Sequence, residues 1–207
     1  MNEFDIKAAG WDQDPMRFER SEAVADGIKN IIPLSGDMIA LEYGSGTGLT
    51  SFLLKDHVKE ITMMDNSEEM VKIMNKKILD SGVWNLKTVF FDLEKDHWNG
   101  GKFDIIITQM VLHHISDYKS ILNKFHQMLN PEGYIAIADL YSEDGSFHGE
   151  GFKGHRGFDI EEFSSEIRNM NFNIISANKC FSINKRITGT AMKQFDLFLL
   201  IAKKLNK

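Results

Sequence analysis

One stretch decides the fold: LEYGSGTG, residues 41–48. It follows an apolar, strand-like run and precedes a segment whose apolar residues have helical spacing. Glycines at alternate positions let the backbone turn sharply and approach a ligand without Cβ clashes. In a doubly wound α/β sheet, such a turn lies at the carboxyl edge of the first strand, where ligands bind. The stretch alone is also compatible with a tight turn that binds nothing, so the rest of the chain must decide.

Strand-like and helix-like segments alternate on both sides of this turn, which is typical of an α/β sheet. The predicted strands are Met38–Tyr43, Glu60–Met64, Thr88–Phe91, Phe103–Thr108, Tyr134–Asp139, Ile174–Ile183 and Phe195–Ala202. The predicted helices are one opened by Asp14-Pro15, Leu49–Asp56, Asn66–Leu79 with Asn66 as its cap, one capped by Ser116 or Asp117 that contains Leu129, and Asp159–Met170. No helical pattern separates the last two strands, so we expect them to pair antiparallel.

Composition limits the class of protein. The 207 residues are 43% apolar, which predicts one domain over residues 1–207, with an N-terminal helical segment at 1–35. Only three prolines and a charged fraction of 26% argue against disorder, and the net charge of −6 argues against a nucleic-acid partner. A single cysteine, Cys180, excludes an internal disulfide. Without a long apolar stretch or a signal-like start, we expect a cytoplasmic protein with no membrane partner.

Acidic residues end two neighbouring predicted strands. Asp65 ends the second strand, 21 residues after Gly44, and an acid there can accept hydrogen bonds from both hydroxyls of a ribose. Asp92 ends the third strand, where a carboxylate can accept from the exocyclic amine of an adenine. Each acid alone could be an exposed, solvated strand end, and we expect the Asp65 side chain to be exposed. Together with the glycine turn, the two acids predict an adenosyl ligand.

The residues around the turn distinguish between adenosyl ligands. A phosphate-binding Walker loop requires Lys and Ser/Thr after its last glycine, but Leu49 and Thr50 follow here. The dinucleotide fingerprint G-x-G-x-x-G also fails, because Leu49 occupies the position of its third glycine. Glu42 brings a negative charge that suits an ammonium and a sulfonium better than a pyrophosphate. The pattern is therefore compatible with an adenosyl ligand that carries an ammonium and a sulfonium, and a nicotinamide oxidoreductase is the disfavoured alternative enzyme.

Five segments, in order, resemble the class I S-adenosylmethionine-dependent methyltransferases, in particular a bacterial small-molecule branch. They are residues 41–51 (motif I), 63–70 with Asp65 (motif II), Asp92-Leu93, 103–114 (motif IV), and 129–134 with Ala138-Asp139. The resemblance extends from about Trp11 to Ala202. It implies a Rossmann-like, seven-stranded sheet of order 3-2-1-4-5-7-6, with the seventh strand antiparallel.

The resemblance also implies a function: transfer of a methyl group from S-adenosylmethionine to a small-molecule acceptor by in-line displacement, with S-adenosylhomocysteine as product. No N/D-P-P-Y/F motif follows the fourth strand, which disfavours nucleic-acid and protein-amide acceptors. The alternative from another class is a non-catalytic module, or partner subunit, that binds an S-adenosyl ligand. A monomer or homodimer is expected for either reading.

The resemblance assigns roles to individual residues on the cofactor side. At the methionine end, three glycines shape the pocket, Glu42 supports the turn and Gln109 contacts the cofactor. Asp65 holds the ribose. Asp92 and Leu93 hold the adenine, and Asn66 stands where an apolar residue often stacks on it. The glycines are Gly44, Gly46 and Gly48.

On the acceptor side the catalytic candidates are His113, Tyr141 and His155. His113 follows the fourth strand at the rim of the site, Tyr141 follows the fifth strand, and His155 lies in the glycine-rich loop Ser142–Gly157. His113 could instead cap a turn, and His155 could be a solvated loop histidine. We expect the loop, 142–157, to be mobile and to close over the acceptor. The spacing of His148, Glu150 and His155 fits no zinc template, so no metal is expected.

Overall fold

The computed structural model describes residues 3–188 and 191–206. Its centre is a seven-stranded sheet of order β3-β2-β1-β4-β5-β7-β6, in which β7 runs antiparallel to both neighbours. The sequence-based order and the antiparallel last strand are therefore confirmed. The strands are β1 (Ile39–Tyr43), β2 (Glu60–Asp65), β3 (Leu86–Phe90), β4 (Phe103–Gln109), β5 (Leu129–Leu140), β6 (Phe172–Thr188) and β7 (Ala191–Lys204).

Helices cover both faces of the sheet. They are α1 (Glu3–Lys7), α2 (Pro15–Ile31), α3 (Leu49–Leu54), α4 (Glu68–Ser81), α5 (Tyr118–Met128) and α6 (Ile160–Asn169), with 3-10 turns at Ala8–Gln13, Lys55–His57 and Leu112–His114. Alternate residues of β4 point to opposite faces, as the pleat requires. Ile106 packs in the cluster that includes α5 and α6, whereas Ile105 and Ile107 pack in the cluster that includes α2 and α4. Both faces of the central strands are thus dry. None of the described helices combines the length and apolar character needed to cross a membrane.

Most predicted elements differ from the observed ones by a few residues at their ends, and two of these differences have a clear local reason. Asn66 does not cap α4; the Ser67 hydroxyl accepts a hydrogen bond from the Met70 backbone nitrogen at 3.2 Å and is the N-cap. Leu129 is not helical, because α5 ends at Met128 and Leu129 adopts an extended conformation that pairs with Phe103 of β4. Neither change alters the topology.

The fold brings chain segments together at one edge of the sheet. The carboxyl ends of the parallel strands meet there, as they do in any doubly wound sheet. The N-terminal segment crosses this edge and is held there by two hydrogen bonds. Asp5 accepts one from the Ser67 hydroxyl at 2.6 Å, and Asp12 accepts the other from the Thr47 hydroxyl at 2.5 Å. The N-terminal segment consequently covers part of the region above the strand ends.

Candidate functional site

A cavity of about 700 Å³ lies above the carboxyl ends of the parallel strands. Its volume is in the range of small-molecule and cofactor sites. We call it the edge cavity; its walls include Arg20, Gly44, Asp65, Gln109, His113 and His148. The residues come from α2, the turn after β1, the ends of β2 and β4, and the loop after β5. One space therefore joins elements that are far apart in the sequence.

The glycine turn approaches the edge cavity with its backbone. Gly44 has φ of +66° and Gly46 has φ of +55°, both in the left-handed region that favours glycine. A Cβ on Gly44 would lie 2.4 Å from Cγ2 of Val111, so no larger residue fits without a shift. Gly48 has a different role: a Cβ there would lie 2.6 Å from the sulfur of Met63, beneath the sheet edge. Gly44 and Gly46 line the cavity, and Gly48 packs against the core.

Asp65 ends β2 and faces the cavity between two backbone donors. One carboxylate oxygen accepts from the Gly46 nitrogen at 2.7 Å, and the other accepts from the Ser67 nitrogen at 2.9 Å. The side chain was expected to be exposed, and this expectation is wrong: only 9% of the residue is accessible, because the N-terminal segment covers the strand end. Burial raises the pKa of Asp65 to about 6, although the backbone hydrogen bonds work in the opposite direction.

Glu42 and Gln109 hold the walls around the turn. The buried Glu42 carboxylate accepts from the backbone nitrogen and the hydroxyl of Ser51, at 3.1 and 2.5 Å, and so ties β1 to the first turn of α3. Burial raises the pKa of Glu42 to about 7. The Gln109 side chain lines the cavity, donates to the Ser21 hydroxyl at 3.1 Å and accepts from the Thr50 hydroxyl at 3.4 Å. Its orientation is therefore fixed by α2 and α3.

The structure does not bring the side chains of Asp92 and Leu93 to the edge cavity. Asp92 accepts from the backbone nitrogens of Glu94 and Lys95 and from the Lys95 ammonium at 2.6 Å. Its partial burial opposes the ionised form, but these hydrogen bonds outweigh it and lower the pKa of Asp92. Leu93 is buried in the core. Asn66 does line the cavity, and so does Glu94, which the sequence did not single out.

Of the three catalytic candidates, the structure brings His113 to the cavity. Its ring is fully buried, and Nδ1 lies 2.5 Å from Oδ1 of Asp139. Tyr141 packs edge-on against Phe198, with ring centroids 5.5 Å apart, outside the cavity wall. His155 faces the carbonyl oxygens of Ile115 and Ser116 with Nε2, at 3.0 and 3.3 Å, and also lies outside the wall.

The loop after β5 reaches the cavity through other residues. Phe147 is buried in a small apolar cluster with Ile183 of β6, and both Phe147 and His148 line the cavity. The loop therefore forms part of the wall on the side of His113. Its mobility stays a prediction.

Sequence reasoning missed Arg20, which is 9% exposed and lines the edge cavity. Its Nε is buried with no hydrogen-bond partner among the residues that the structure describes. Burial, followed by the neighbouring charge of Arg17, lowers the pKa of Arg20 to about 10. A signal did exist: Arg20 precedes Val24 and Ile28 by four and eight residues, which places it on the inward face of α2.

Comparisons with known proteins agree with this architecture. A family model described as a methyltransferase domain matches residues 41–137. The uncharacterized methyltransferase C1347.09 of Schizosaccharomyces pombe is 30% identical over 146 residues, which are 67% of this chain and 51% of that protein. A ubiquinone biosynthesis O-methyltransferase of Haemophilus ducreyi is 24% identical over 131 residues, 61% of this chain and 52% of that protein.

A solved structure shows the same fold. The crystal structure of YcgJ from Bacillus subtilis has a TM-score of 0.72 and 16% identity, covering 90% of this chain and 99% of that chain. The chain spans about half the length of the curated relatives that it matches in sequence.

Proposed function

Because this chain belongs to the class I S-adenosylmethionine-dependent methyltransferases, we propose that it transfers a methyl group from S-adenosylmethionine to a small-molecule acceptor. One observation carries the proposal: a single cavity joins the glycine turn, the Asp65 carboxylate and the guanidinium of Arg20. These groups match the chemistry of the methionine and adenosyl parts of the cofactor. The acceptor would bind at the other end of the same cavity, and the shape of that end would select the atom that is methylated.

The donor set at Asp65 fits a ribose. An ionised carboxylate has about four acceptor sites on its two oxygens. Part of this capacity is used by backbone nitrogens, those of Gly46 and Ser67 at 2.7 and 2.9 Å and that of Asn66, and these bonds also fix the direction of the carboxylate. The remaining capacity is available to the two ribose hydroxyls. Asp65 would therefore be both the anchor of the glycine turn and the partner of the ribose.

Arg20 fits the carboxylate of the methionine part. A buried guanidinium whose Nε has no hydrogen-bond partner is costly, and a carboxylate that pairs with it offsets this cost. Arg20 lines the edge cavity together with Gly44 and Gln109, which leaves the guanidinium and the glycine turn in contact with the same space. We therefore assign the methionine end of the cofactor to the region of Arg20, Gly44 and Gln109, and the adenine to the region of Asn66 and Glu94.

When bound, the cofactor supplies an activated methyl group on a sulfonium. The protein's contribution is to align the acceptor and exclude water, and alignment of this kind is worth roughly 7–11 kcal/mol. The N-terminal segment excludes water on one side, and Phe147 does so on the other. Both walls exist before any acceptor binds.

The acceptor end of the cavity has apolar, histidine and lysine walls. Met110, Phe147 and Ile183 line it beside His113, His148 and Lys185. Such walls suit a small molecule with an apolar body and one nucleophilic atom, and one relative is described as a ubiquinone biosynthesis O-methyltransferase.

Among the catalytic candidates, we propose that His113 contacts the acceptor. Tyr141 and His155 do not line the cavity and would act only on residues that do. His155 would do so by binding the carbonyl groups that follow the 3-10 turn at Leu112–His114. The net charge of −6 supports small molecules rather than nucleic acid as partners, and we propose a cytoplasmic monomer or homodimer.

The experiment is transfer of a labelled methyl group. The full chain is incubated with methyl-labelled S-adenosylmethionine and the protein-free, small-molecule fraction of a cell extract. The proposal predicts a labelled small molecule and one S-adenosylhomocysteine released per methyl group transferred, with both lost in Asp65→Ala. Cofactor binding without any transfer would instead support the non-catalytic module.

A further inference from the structure

Three histidines meet at the acceptor end of the edge cavity. His113 and His114 are consecutive in the 3-10 turn at Leu112–His114, and His148 comes from the loop after β5. One ring nitrogen of each lies within 4.8 Å of the others. The ring centroids are 4.2 Å apart for His113 and His114, 5.0 Å for His113 and His148, and 4.9 Å for His114 and His148. The 3-10 turn matters here, because consecutive side chains of a strand would point to opposite faces.

His113 is held in the tautomer that a metal ligand requires. Asp139 is almost fully buried, and its Oδ1 lies 2.5 Å from Nδ1 of His113 while also accepting from the Leu140 nitrogen at 2.8 Å. An ionised carboxylate only accepts, so Nδ1 carries the hydrogen and the lone pair lies on Nε2. That Nε2 is buried and has no hydrogen-bond partner in residues 3–188 and 191–206. A carboxylate behind a histidine is the usual support of a metal-binding imidazole.

His148 offers a second unused nitrogen. Its Nε2 is also buried and lacks a hydrogen-bond partner within the described part of the chain. The ring is stacked on Phe152 with centroids 3.9 Å apart, which fixes its plane. An imidazole nitrogen of this kind is available to a metal ion.

We propose that His113, His114 and His148 bind one divalent transition-metal ion, with zinc as the reference ion, and that Asp139 positions His113 for it. Imidazole ligands suit zinc, copper and nickel. Three protein ligands leave one position of a tetrahedral ion open, which is the arrangement of catalytic rather than structural zinc sites. The sequence predicted no metal, because the spacing of His148, Glu150 and His155 fits no zinc template. Sequence spacing does not show that His148 lies beside His113 and His114 in the fold. Glu150 and His155, the partners then considered for His148, are not part of the cluster.

The role of the ion rests on the proposed function, although its binding does not. Because the cluster lines the cavity on the acceptor side, an oxygen or sulfur of the acceptor would occupy the open position. A bound divalent ion lowers the pKa of such a group, so that its proton leaves to water and the lone pair becomes available to the methyl group. The metal would thus activate the nucleophilic atom of the acceptor for methyl transfer.

The test is metal binding by the full chain, purified with a tag that contains no histidine and then freed of metal by a chelator. Zinc is titrated by calorimetry, and cobalt is titrated by its visible absorption, which reports tetrahedral nitrogen ligands. We expect one ion per chain. His148→Ala removes the ligand that comes from the loop after β5 and should lower the affinity at least tenfold, and Asp139→Asn should lower it roughly 10–100-fold.

His97→Ala is the matched control, since His97 is exposed and outside the cavity, and it should bind as the unchanged protein does. The proposal is overturned if no ion binds at one per chain, or if His148→Ala binds as tightly as the unchanged protein. Stoichiometric, His148-dependent binding in a protein that transfers no methyl group would support the metal site and count against the proposed function alone.

Discussion

The carboxylate of Asp65 accepts a hydrogen bond from the backbone nitrogen of Gly46 at 2.7 Å. This bond joins the end of β2 to the glycine turn after β1. The two elements that sequence patterns single out separately, a strand-end acid and a G-x-G-x-G turn, are therefore one structural unit. Its geometry is set before any ligand binds, and a substitution of either residue should change the position of the other.

Removal of the Asp65 side chain should weaken both binding and folding. Asp65→Ala removes the acceptor for two ribose hydroxyls, so the affinity for S-adenosylhomocysteine should fall at least tenfold. It also leaves the nitrogens of Gly46 and Ser67 without their acceptor, which should lower the free energy of unfolding by about 1–3 kcal/mol. Calorimetry and chemical denaturation measure the two effects. The exposed Asp37→Ala is the control, and equal affinity in both variants would contradict the ribose assignment.

Binding of S-adenosylhomocysteine should depend on pH through Asp65. Its pKa is about 6 in the free protein, and ribose hydroxyls donate to the ionised form. Ligand binding should therefore weaken as the pH falls through 6, by about tenfold between pH 7 and pH 5. Isothermal titration at several pH values measures the slope, and Asp65→Asn should abolish it. A pH profile that is flat for the unchanged protein, or equally steep for Asp65→Asn, would show that another group is responsible.

The same raised pKa predicts an effect on stability with the opposite sign. The folded state binds the Asp65 proton more tightly than the unfolded chain does, since the ordinary pKa of the group is 3.8. The stabilisation that comes from this tighter proton binding is thus present below about pH 4 and is lost as the pH rises to about 6, whereas the hydrogen bonds from Gly46 and Ser67 do not depend on it. Denaturation of the ligand-free protein, compared with Asp65→Asn, measures this contribution. A difference between the two proteins that does not change over this pH range would contradict the buried, ligand-free state of the carboxyl.

Replacement of Arg20 should separate binding from stability. Arg20→Met keeps the length of an apolar stem but removes a buried charge whose Nε has no hydrogen-bond partner, so the ligand-free protein should be at least as stable as the unchanged protein. Affinity for S-adenosylhomocysteine should fall at least tenfold, because the methionine carboxylate loses its charged partner. Arg168→Met, at an exposed position of α6, controls for loss of charge. A variant that is less stable and still binds would make Arg20 a structural residue.

The glycine turn gives a prediction that can be tested by a double-mutant cycle. Gly44→Ala places a residue with a Cβ at φ of +66° and 2.4 Å from Val111, and should destabilise the fold by about 1–3 kcal/mol. In a Val111→Ala background the steric part should disappear while the backbone part stays. If the cost is the same in both backgrounds, the contact with Val111 is not what excludes a side chain at Gly44.

Local patterns predicted the fold because each strand and helix carries its own signal. Asn171 illustrates this: it follows α6 at a position where glycine often ends a helix, and it has φ of +66°. The order of the strands required the resemblance to a family. The cap of α4 was misassigned by one residue because Asn66 and Ser67 are both good caps, and only the position of Asp5 and Asp65 distinguishes them.

Site residues at the end of a single strand could be predicted from the sequence. Their burial could not, because it depends on which other segments of the chain cover the strand end. Asp65 could be located, but its burial depends on how the N-terminal segment crosses the sheet edge. Arg20 was missed for the same reason, since a helical face shows which way a residue points and not whether a cavity lies there. His113 and His148 meet only through the path of the loop after β5, which no local pattern encodes.

Titration of the full chain with S-adenosylhomocysteine, with NAD and ATP as comparisons, measures whether the edge cavity is an S-adenosyl site. We expect S-adenosylhomocysteine to bind at one molecule per chain in the edge cavity, and NAD and ATP to bind far more weakly. Binding of NAD with equal or greater affinity, or no binding of S-adenosylhomocysteine at all, would contradict it.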